Sequence, residues 1–168
     1  MGVATHGGVY SGIPGVRHDT LCDAPSADAR ARDEYDCDKI EAATYLARAS
    51  ATHTVFLAEL WQQHATIQVL TRDVGIRALD ATSALVLPLE EGKGALYAFP
   101  PEQAAQAEAL QTALGDWGVS ATVHDTQNNV LLYTLAIPWE RLGALAADRA
   151  QVAAQLPAVP TPADLLSR

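Results

Sequence analysis

The sequence has no long apolar run and is poor in positive charge. No apolar stretch reaches the roughly 20 residues that a membrane-spanning helix needs. The amino terminus shows no basic region followed by an apolar core, so we expect no signal peptide and no membrane partner. Lys and Arg number 11 against 20 Asp and Glu, which gives the 168 residues a formal charge of −9. Because Lys and Arg supply most of the affinity for phosphates, this balance argues against direct binding of DNA or RNA.

Cysteine is almost absent, since Cys22 and Cys37 are the only two. In a reducing compartment such a pair stays as thiols, and a disulfide that closes the loop between them is the alternative. Structural zinc sites usually begin with two ligands two to four residues apart. Cys22 follows His18 by four residues, but Cys37 has no close Cys or His neighbour. We therefore expect no metal ion and no cofactor.

The usual signatures of catalysis are also missing. No serine lies in a Gly-x-Ser-x-Gly turn, and Cys22 is followed by Asp23, whose negative charge disfavours a reactive thiolate. The glycines of residues 7–15 neither follow a strand nor lead into a helix, so a phosphate-binding loop is not indicated. His124 beside Asp125 could orient an imidazole for acid–base work, or could be a surface histidine near a turn. We assign no catalytic residue.

What the chain does have is a glycine- and proline-punctuated leader, residues 1–32, with apolar side chains but no helical or strand period. Such an extended arm cannot form a core alone, and free termini of this composition are usually mobile unless another surface holds them. Residues 19–41 add eight acidic side chains against three basic ones. An acidic run of this kind is usually a solvated face, and the alternative is a contact for a basic partner or a mimic of nucleic acid. The predicted partner-binding residues are Tyr10, Ile13, Val16, Leu21, Asp33, Glu34 and Asp36.

Periodicity and turn signals predict the elements that follow. In chain order they are a helix over 33–51, a helix ending at Gln63, a strand over 65–71, a hairpin over 84–99 with Pro88 at an edge or bulge, a helix over 101–117, a hairpin over 119–137 and a closing helix over 139–156. The apolar residues before Gln63 fit a buried helix or a strand about equally well, and we favour the helix. The apolar strand at 130–137 should lie inside the sheet. A proline-rich tail over 157–168 completes the chain.

These elements predict a single α+β domain over residues 33–156. Residues 84–117 and 119–156 each give two strands and a helix, so the expected core is β-β-α-β-β-α. It should form an antiparallel sheet with helices packed on one face, preceded by a helical segment and the arm.

Three functions fit this sequence. The first is a non-enzymatic subunit that binds other protein subunits in a larger assembly through its arm. A connector, terminator, decoration or minor capsid protein of a phage or virus, in the cytoplasm or the virion, would be of this type. The second is an acidic immunity, antitoxin or inhibitor protein that binds a basic partner. The third is a small enzyme or metal-binding protein that uses His6, His18, Cys22 or His124.

Overall fold

The computed structural model describes Cys22 and residues 36–79, 85–88 and 90–155. The chain divides into two compact units, residues 1–37 and 38–168. In the first unit, Cys22 and Cys37 form a disulfide across 15 residues. Of the two alternatives that the sequence left open, free thiols or a disulfide, the structure has the disulfide. The rest of the predicted arm and the predicted tail lie outside the described residues.

Five strands and five α-helices make up the described part of the second unit, together with Cys37. The helices are α1 (Cys37–Ala49), α2 (Glu59–Gln62), α3 (Ala65–Thr71), α4 (Ala104–Leu114) and α5 (Trp139–Gln155). The strands are β1 (His53–Ala58), β2 (Arg77–Leu79), β3 (Gly94–Phe99), β4 (Val119–His124) and β5 (Val130–Ile137). Short 3-10 turns, Pro101–Gln103 and Gly115–Trp117, flank α4. None of the described helices is both long and apolar enough to cross a bilayer.

The strands form one mixed sheet in the order β2-β1-β3-β5-β4. β1 pairs in parallel with both β2 and β3, whereas β5 pairs antiparallel with β3 and β4. The α+β class is confirmed, and the fully antiparallel sheet is wrong. The β4–β5 hairpin, the interior position of β5 and the closing helix were predicted correctly.

The segment between α1 and β2 differs most from the prediction. Residues 53–58 were expected to be helical, but they form a strand with five of six residues buried. Residues 65–71 were expected to form a strand, but they form α3. His64 caps this helix by accepting a hydrogen bond from Thr66 N at 3.3 Å. Only Ile67 and Thr71 of α3 are buried, and their spacing of four residues is that of one helix face.

The hairpin expected over residues 84–99 does not form. Residues 85–88 have no regular structure, and β3 pairs instead with β1 and β5. The Tyr97 hydroxyl donates to the Val86 carbonyl at 2.7 Å and so ties this segment to the sheet. At the turn before β3, Glu90 accepts from Thr54 at 3.2 Å and pairs with Lys93 at 2.8 Å. The hydrogen bond from Lys93 is the main reason that the pKa of Glu90 lies below its ordinary value.

Helices cover both faces of the sheet, not one as expected. On the first face, which we call the α1 face, Ala42 and Leu46 of α1 pack with Val55, Leu57 and Leu96. On the opposite face, the α4 face, residues of α4 and α5 pack over alternate strand positions. This second cluster includes Leu114, Leu142, Leu145, Phe56, Tyr97, Phe99 and Leu135. Because neighbouring strand residues point to opposite faces, one sheet separates two apolar cores.

An extra residue in β5 completes the α1 face. Val123 pairs with Leu132, but the next residue, His124, pairs with Val130, so Leu131 is the bulged residue. The bulge allows the adjacent side chains Leu131 and Leu132 to join the same buried cluster. Without it, strand alternation would place them on opposite faces.

The turn between β4 and β5 is fixed by one carboxylate. Asp125 Oδ1 accepts hydrogen bonds from Gln127 N at 2.9 Å and Asn129 N at 2.7 Å, and Oδ2 accepts from Asn129 Nδ2 at 3.1 Å. Glu41 of α1 then holds the turn by accepting from both the backbone N and the hydroxyl of Thr126. The hairpin is thereby joined to α1.

We expect Asp125→Ala to lower the free energy of unfolding by about 1–2 kcal/mol, because it removes a local side-chain acceptor of the kind that caps helices and turns. Thermal unfolding followed by circular dichroism measures this loss. Asp125→Asn keeps one carbonyl acceptor and is the matched control, with a smaller expected loss. Equal losses in the two variants would contradict this role of the acceptor atoms.

Candidate functional site

An open groove of about 510 Å³ lies between α4 and the β4–β5 hairpin. One face of the helix lines it through Ala104, Ala107, Glu108 and Gln111, which recur at the three- and four-residue spacing of a single helix face. The alanines are small, so the helix and the sheet leave space between them. The groove is therefore a consequence of the sequence of α4.

The floor of the groove comes from the two strands. Ser120 and Thr122 of β4 pair with Leu135 and Tyr133 of β5, and cross-strand partners lie on the same face of a sheet. Tyr133 and Leu135 pack with the α4-face cluster, so the hydroxyls of β4 belong to this face as well. The groove thus offers hydroxyl groups, an amide and the carboxylate of Glu108 beside apolar carbon.

The stretch of chain that supplies the groove carries charge of one sign only. Residues 94–140 contain no Lys or Arg and five acidic residues, Glu102, Glu108, Asp116, Asp125 and Glu140. The next basic residue is Arg141, whose guanidinium donates to the Asp116 backbone carbonyl at 2.7 Å. A ligand of this region would be neutral or cationic, because an anion would meet unbalanced negative charge.

The described histidines have local structural roles or are exposed. His53 Nδ1 lies 2.9 Å from the Thr52 hydroxyl at the start of β1, and His64 caps α3. His124 is exposed at the end of β4. Its neighbour Asp125, considered above as a partner for acid–base chemistry, uses both carboxylate oxygens in the hairpin turn.

Cys22 and Cys37 are joined in the disulfide, so neither sulfur is a thiolate ligand. Among the described residues, no three His, Cys, Asp or Glu side chains are placed to hold a metal ion. His6 and His18 lie outside the described residues.

Most of the predicted partner-binding residues also lie outside the described part of the chain: Tyr10, Ile13, Val16, Leu21, Asp33 and Glu34. Asp36 is described. It is half-buried and directly precedes α1, with a φ of 52°. This left-handed conformation is one that Asp and Asn tolerate better than other non-glycine residues.

The groove was not predicted from the sequence. Two signals for it are visible there: the stretch 94–140 without Lys or Arg, and the alanines spaced along α4. Neither indicates a site until the helix is placed over β5 and beside β4.

No protein family, curated protein or solved structure matches this chain. The class of protein is therefore given by the fold alone, an α+β domain with a mixed five-stranded sheet and helices on both faces.

Proposed function

We propose that this protein is a non-enzymatic subunit of a larger assembly and binds other protein subunits through its amino-terminal arm. The observation that carries the proposal is the disulfide between Cys22 and Cys37. Cys37 is the first residue of α1, so the bond fastens the arm at Cys22 to the residue that begins the first helix. Residues 1–21 precede this fixed point.

A fixed point at Cys22 lowers the entropic cost of docking the residues that precede it. Ordering a flexible backbone costs about 1–2 kcal/mol per residue, and apolar burial returns only about 25 cal/mol per Å². Tyr10, Ile13 and Val16 are the side chains that would return most of this energy. Within residues 37–155 the sheet already receives helices on both faces. This arrangement supports a role for the arm in binding a second molecule.

The disulfide also bears on location. Disulfides persist in oxidising surroundings such as secreted proteins and virion surfaces, and they are rare in the cytoplasm. Of the two locations expected from the sequence, it favours the virion. A connector, terminator, decoration or minor capsid protein of a phage or virus would fit this proposal.

The test replaces the three anchors, Tyr10, Ile13 and Val16, with alanine in the full chain. We expect the assembly that the native chain forms with its co-purified partners to be lost in native mass measurements. The unfolding midpoint should stay unchanged. Ser11→Ala, in the same segment, is the control and should leave the assembly intact. A large fall in the unfolding midpoint of the triple variant would instead indicate that the arm completes its own chain's core.

The second candidate is an acidic inhibitor, immunity protein or antitoxin that binds a basic partner. The net charge of −9 and the stretch 94–140 without Lys or Arg favour it, because an excess of negative charge would speed the encounter with a basic protein. The salt dependence of the binding affinity distinguishes the two candidate functions. The affinity of this complex should fall steeply as ionic strength rises to physiological levels, whereas docking through apolar anchors should change little.

A further inference from the structure

The two edges of the sheet differ in how they are protected against pairing with another strand. Edge strands expose unpaired N–H and C=O groups, and proteins usually block them with short strands, charged residues, proline or bulges. At one edge, β2 has only three residues and carries the exposed Arg77. At the other edge, β4 has six residues, Val-Ser-Ala-Thr-Val-His, none of them a proline, lysine, arginine or acid. The bulge beside it belongs to β5.

The exposed strand is nearly the same when it is read in either direction. From Val119 to Val123 the order is Val-Ser-Ala-Thr-Val, with Ala121 at the centre. Ser120 and Thr122 lie on the α4 face. Val119, Ala121 and Val123 alternate with them and lie on the α1 face, where Val123 packs against the core. Val119 is 59% exposed.

The backbone polar groups of β4 are also arranged symmetrically around Ala121. The Thr134 hydroxyl donates to the Ala121 carbonyl at 3.2 Å, so this carbonyl is directed toward β5. Because the polar groups of successive strand residues point to opposite sides, those of Ser120 and Thr122 are directed outward. The outward groups are thus placed symmetrically around Ala121.

We propose that β4 pairs antiparallel with β4 of a second copy of this chain, about a two-fold axis at Ala121. Ser120 then lies opposite Thr122 of the second copy and exchanges backbone hydrogen bonds with it, and the symmetry repeats this pair. Val119 lies opposite Val123 of the second copy, and the two Ala121 residues face each other. The two sheets become one continuous sheet of ten strands.

A second copy fits this edge better than an unrelated peptide because the strand is complementary to itself on both faces, as an isologous contact requires. Apolar residues meet apolar residues on the α1 face, and hydroxyls meet hydroxyls on the α4 face. The pairing also brings the two grooves beside α4 together across the axis. It goes beyond the proposed function and uses no residue of the arm.

The negative charge of the chain gives this dimer a distinctive salt dependence. Each copy has a formal charge of −9, so the two copies repel each other at low ionic strength. Salt screens this repulsion over about 10 Å at 0.1 M. The contact is also smaller than a standard protein interface. We therefore expect a concentration-dependent dimer that is strengthened by added salt.

Cysteine cross-linking of the full chain tests the register. In Ala121→Cys the two new cysteines face each other at a Cα separation of about 4.5 Å, within the range that a disulfide bridges. Mild oxidation should give a covalent dimer of two 17.8 kDa chains. Val119→Cys is the control and should not cross-link, because the two copies of residue 119 lie about 13 Å apart along the strands. Combining Val119→Cys with Val123→Cys should restore the cross-link.

A charge variant tests the affinity. Ala121→Lys places two lysines opposite each other on the axis, and such like-charge contacts cost enough to raise the dimer dissociation constant more than about tenfold. Ala109→Lys adds the same charge at an exposed position of α4 and should leave the dissociation constant unchanged. Sedimentation equilibrium on the full chain measures both.

Three results would overturn the proposal. One is a native chain that stays monomeric at the highest soluble concentration in moderate salt. Another is cross-linking that is equal at positions 119 and 121. The third is a hetero-complex blocked by Ala121→Lys while Ala121→Cys gives no covalent dimer, which would assign the edge to a different protein and leave the arm proposal standing. If Ala121→Lys does not fold, the cysteine variants decide.

Discussion

Replacing Gly94 with alanine should lower the free energy of unfolding by about 3 kcal/mol, at the upper end of the usual cost of overpacking a core. A Cβ at this position would lie 2.6 Å from the backbone oxygen of Ile137 and 2.8 Å from His53 Cδ2. The Ile137 oxygen belongs to the backbone of β5, which pairs with β3 and cannot withdraw without disturbing the sheet, and the His53 contact is with the imidazole ring. Denaturant unfolding of the native and variant chains gives the difference.

Gly143→Ala is the matched control for this substitution. Gly143 lies inside α5, and none of the described atoms apart from the helix's own backbone and its chain neighbours would come within 4 Å of its Cβ. Because glycine is less favourable than alanine inside a helix, this variant should gain about 0.5–1 kcal/mol. If both substitutions shifted stability in the same direction, close packing at Gly94 would not be the cause.

Truncating Tyr97 to alanine should cost about 3–5 kcal/mol, the range for loss of a buried aromatic side chain. Tyr97 is fully buried in β3, and its ring stacks on Phe56 of β1 with 5.2 Å between centroids. The substitution leaves a cavity in the apolar core on the α4 face. Denaturant unfolding measures the loss, and a change of less than about 1 kcal/mol would contradict this packing.

Tyr97→Phe distinguishes the contribution of the hydroxyl to stability from that of the ring. It removes only the hydrogen bond to the Val86 carbonyl and should cost about 1 kcal/mol. Burial raises the pKa of Tyr97 above its ordinary value of 10.0. The folded state therefore disfavours the phenolate, and the native chain should lose stability above pH 10 relative to Tyr97→Phe. Parallel pH profiles for the two chains would be evidence against this burial.

The second half of the fold could be predicted from the sequence because its signals are local. Pro100 and Pro101 mark the entry to α4, and the polar residues 125–129 mark the turn between β4 and β5. Alternation in β4 and the apolar run in β5 then place the hairpin. Each of these signals is set by neighbours within a few residues.

The first half could not be predicted in the same way. Val55, Phe56 and Leu57 are consecutive buried residues, because β1 is interior and parallel to both neighbours. A strand buried on both faces shows no alternation and cannot be distinguished from a buried helix by periodicity. In α3, β-branched residues suggested a strand, but the cap at His64 and packing of Ile67 favour the helix.

The two candidate sites could not be predicted from the sequence either, because both depend on contacts between distant parts of the chain. The near-palindrome around Ala121 is present in the sequence, but its meaning depends on β4 being an edge strand. That position follows from the order of all five strands. The groove likewise requires α4 to lie beside a hairpin that comes later in the chain.

The mixed sheet has a consequence for folding kinetics. The hairpin closes at a short turn, whereas the parallel pair β1–β3 joins residue 53 to residue 94 across a much larger loop. Because closing larger loops costs more entropy, the hairpin should nucleate first and the parallel half should assemble last. On the ribosome, β1 emerges well before β3, so slow elongation would lengthen the period in which its apolar side chains and unpaired backbone N–H and C=O groups are open to aggregation.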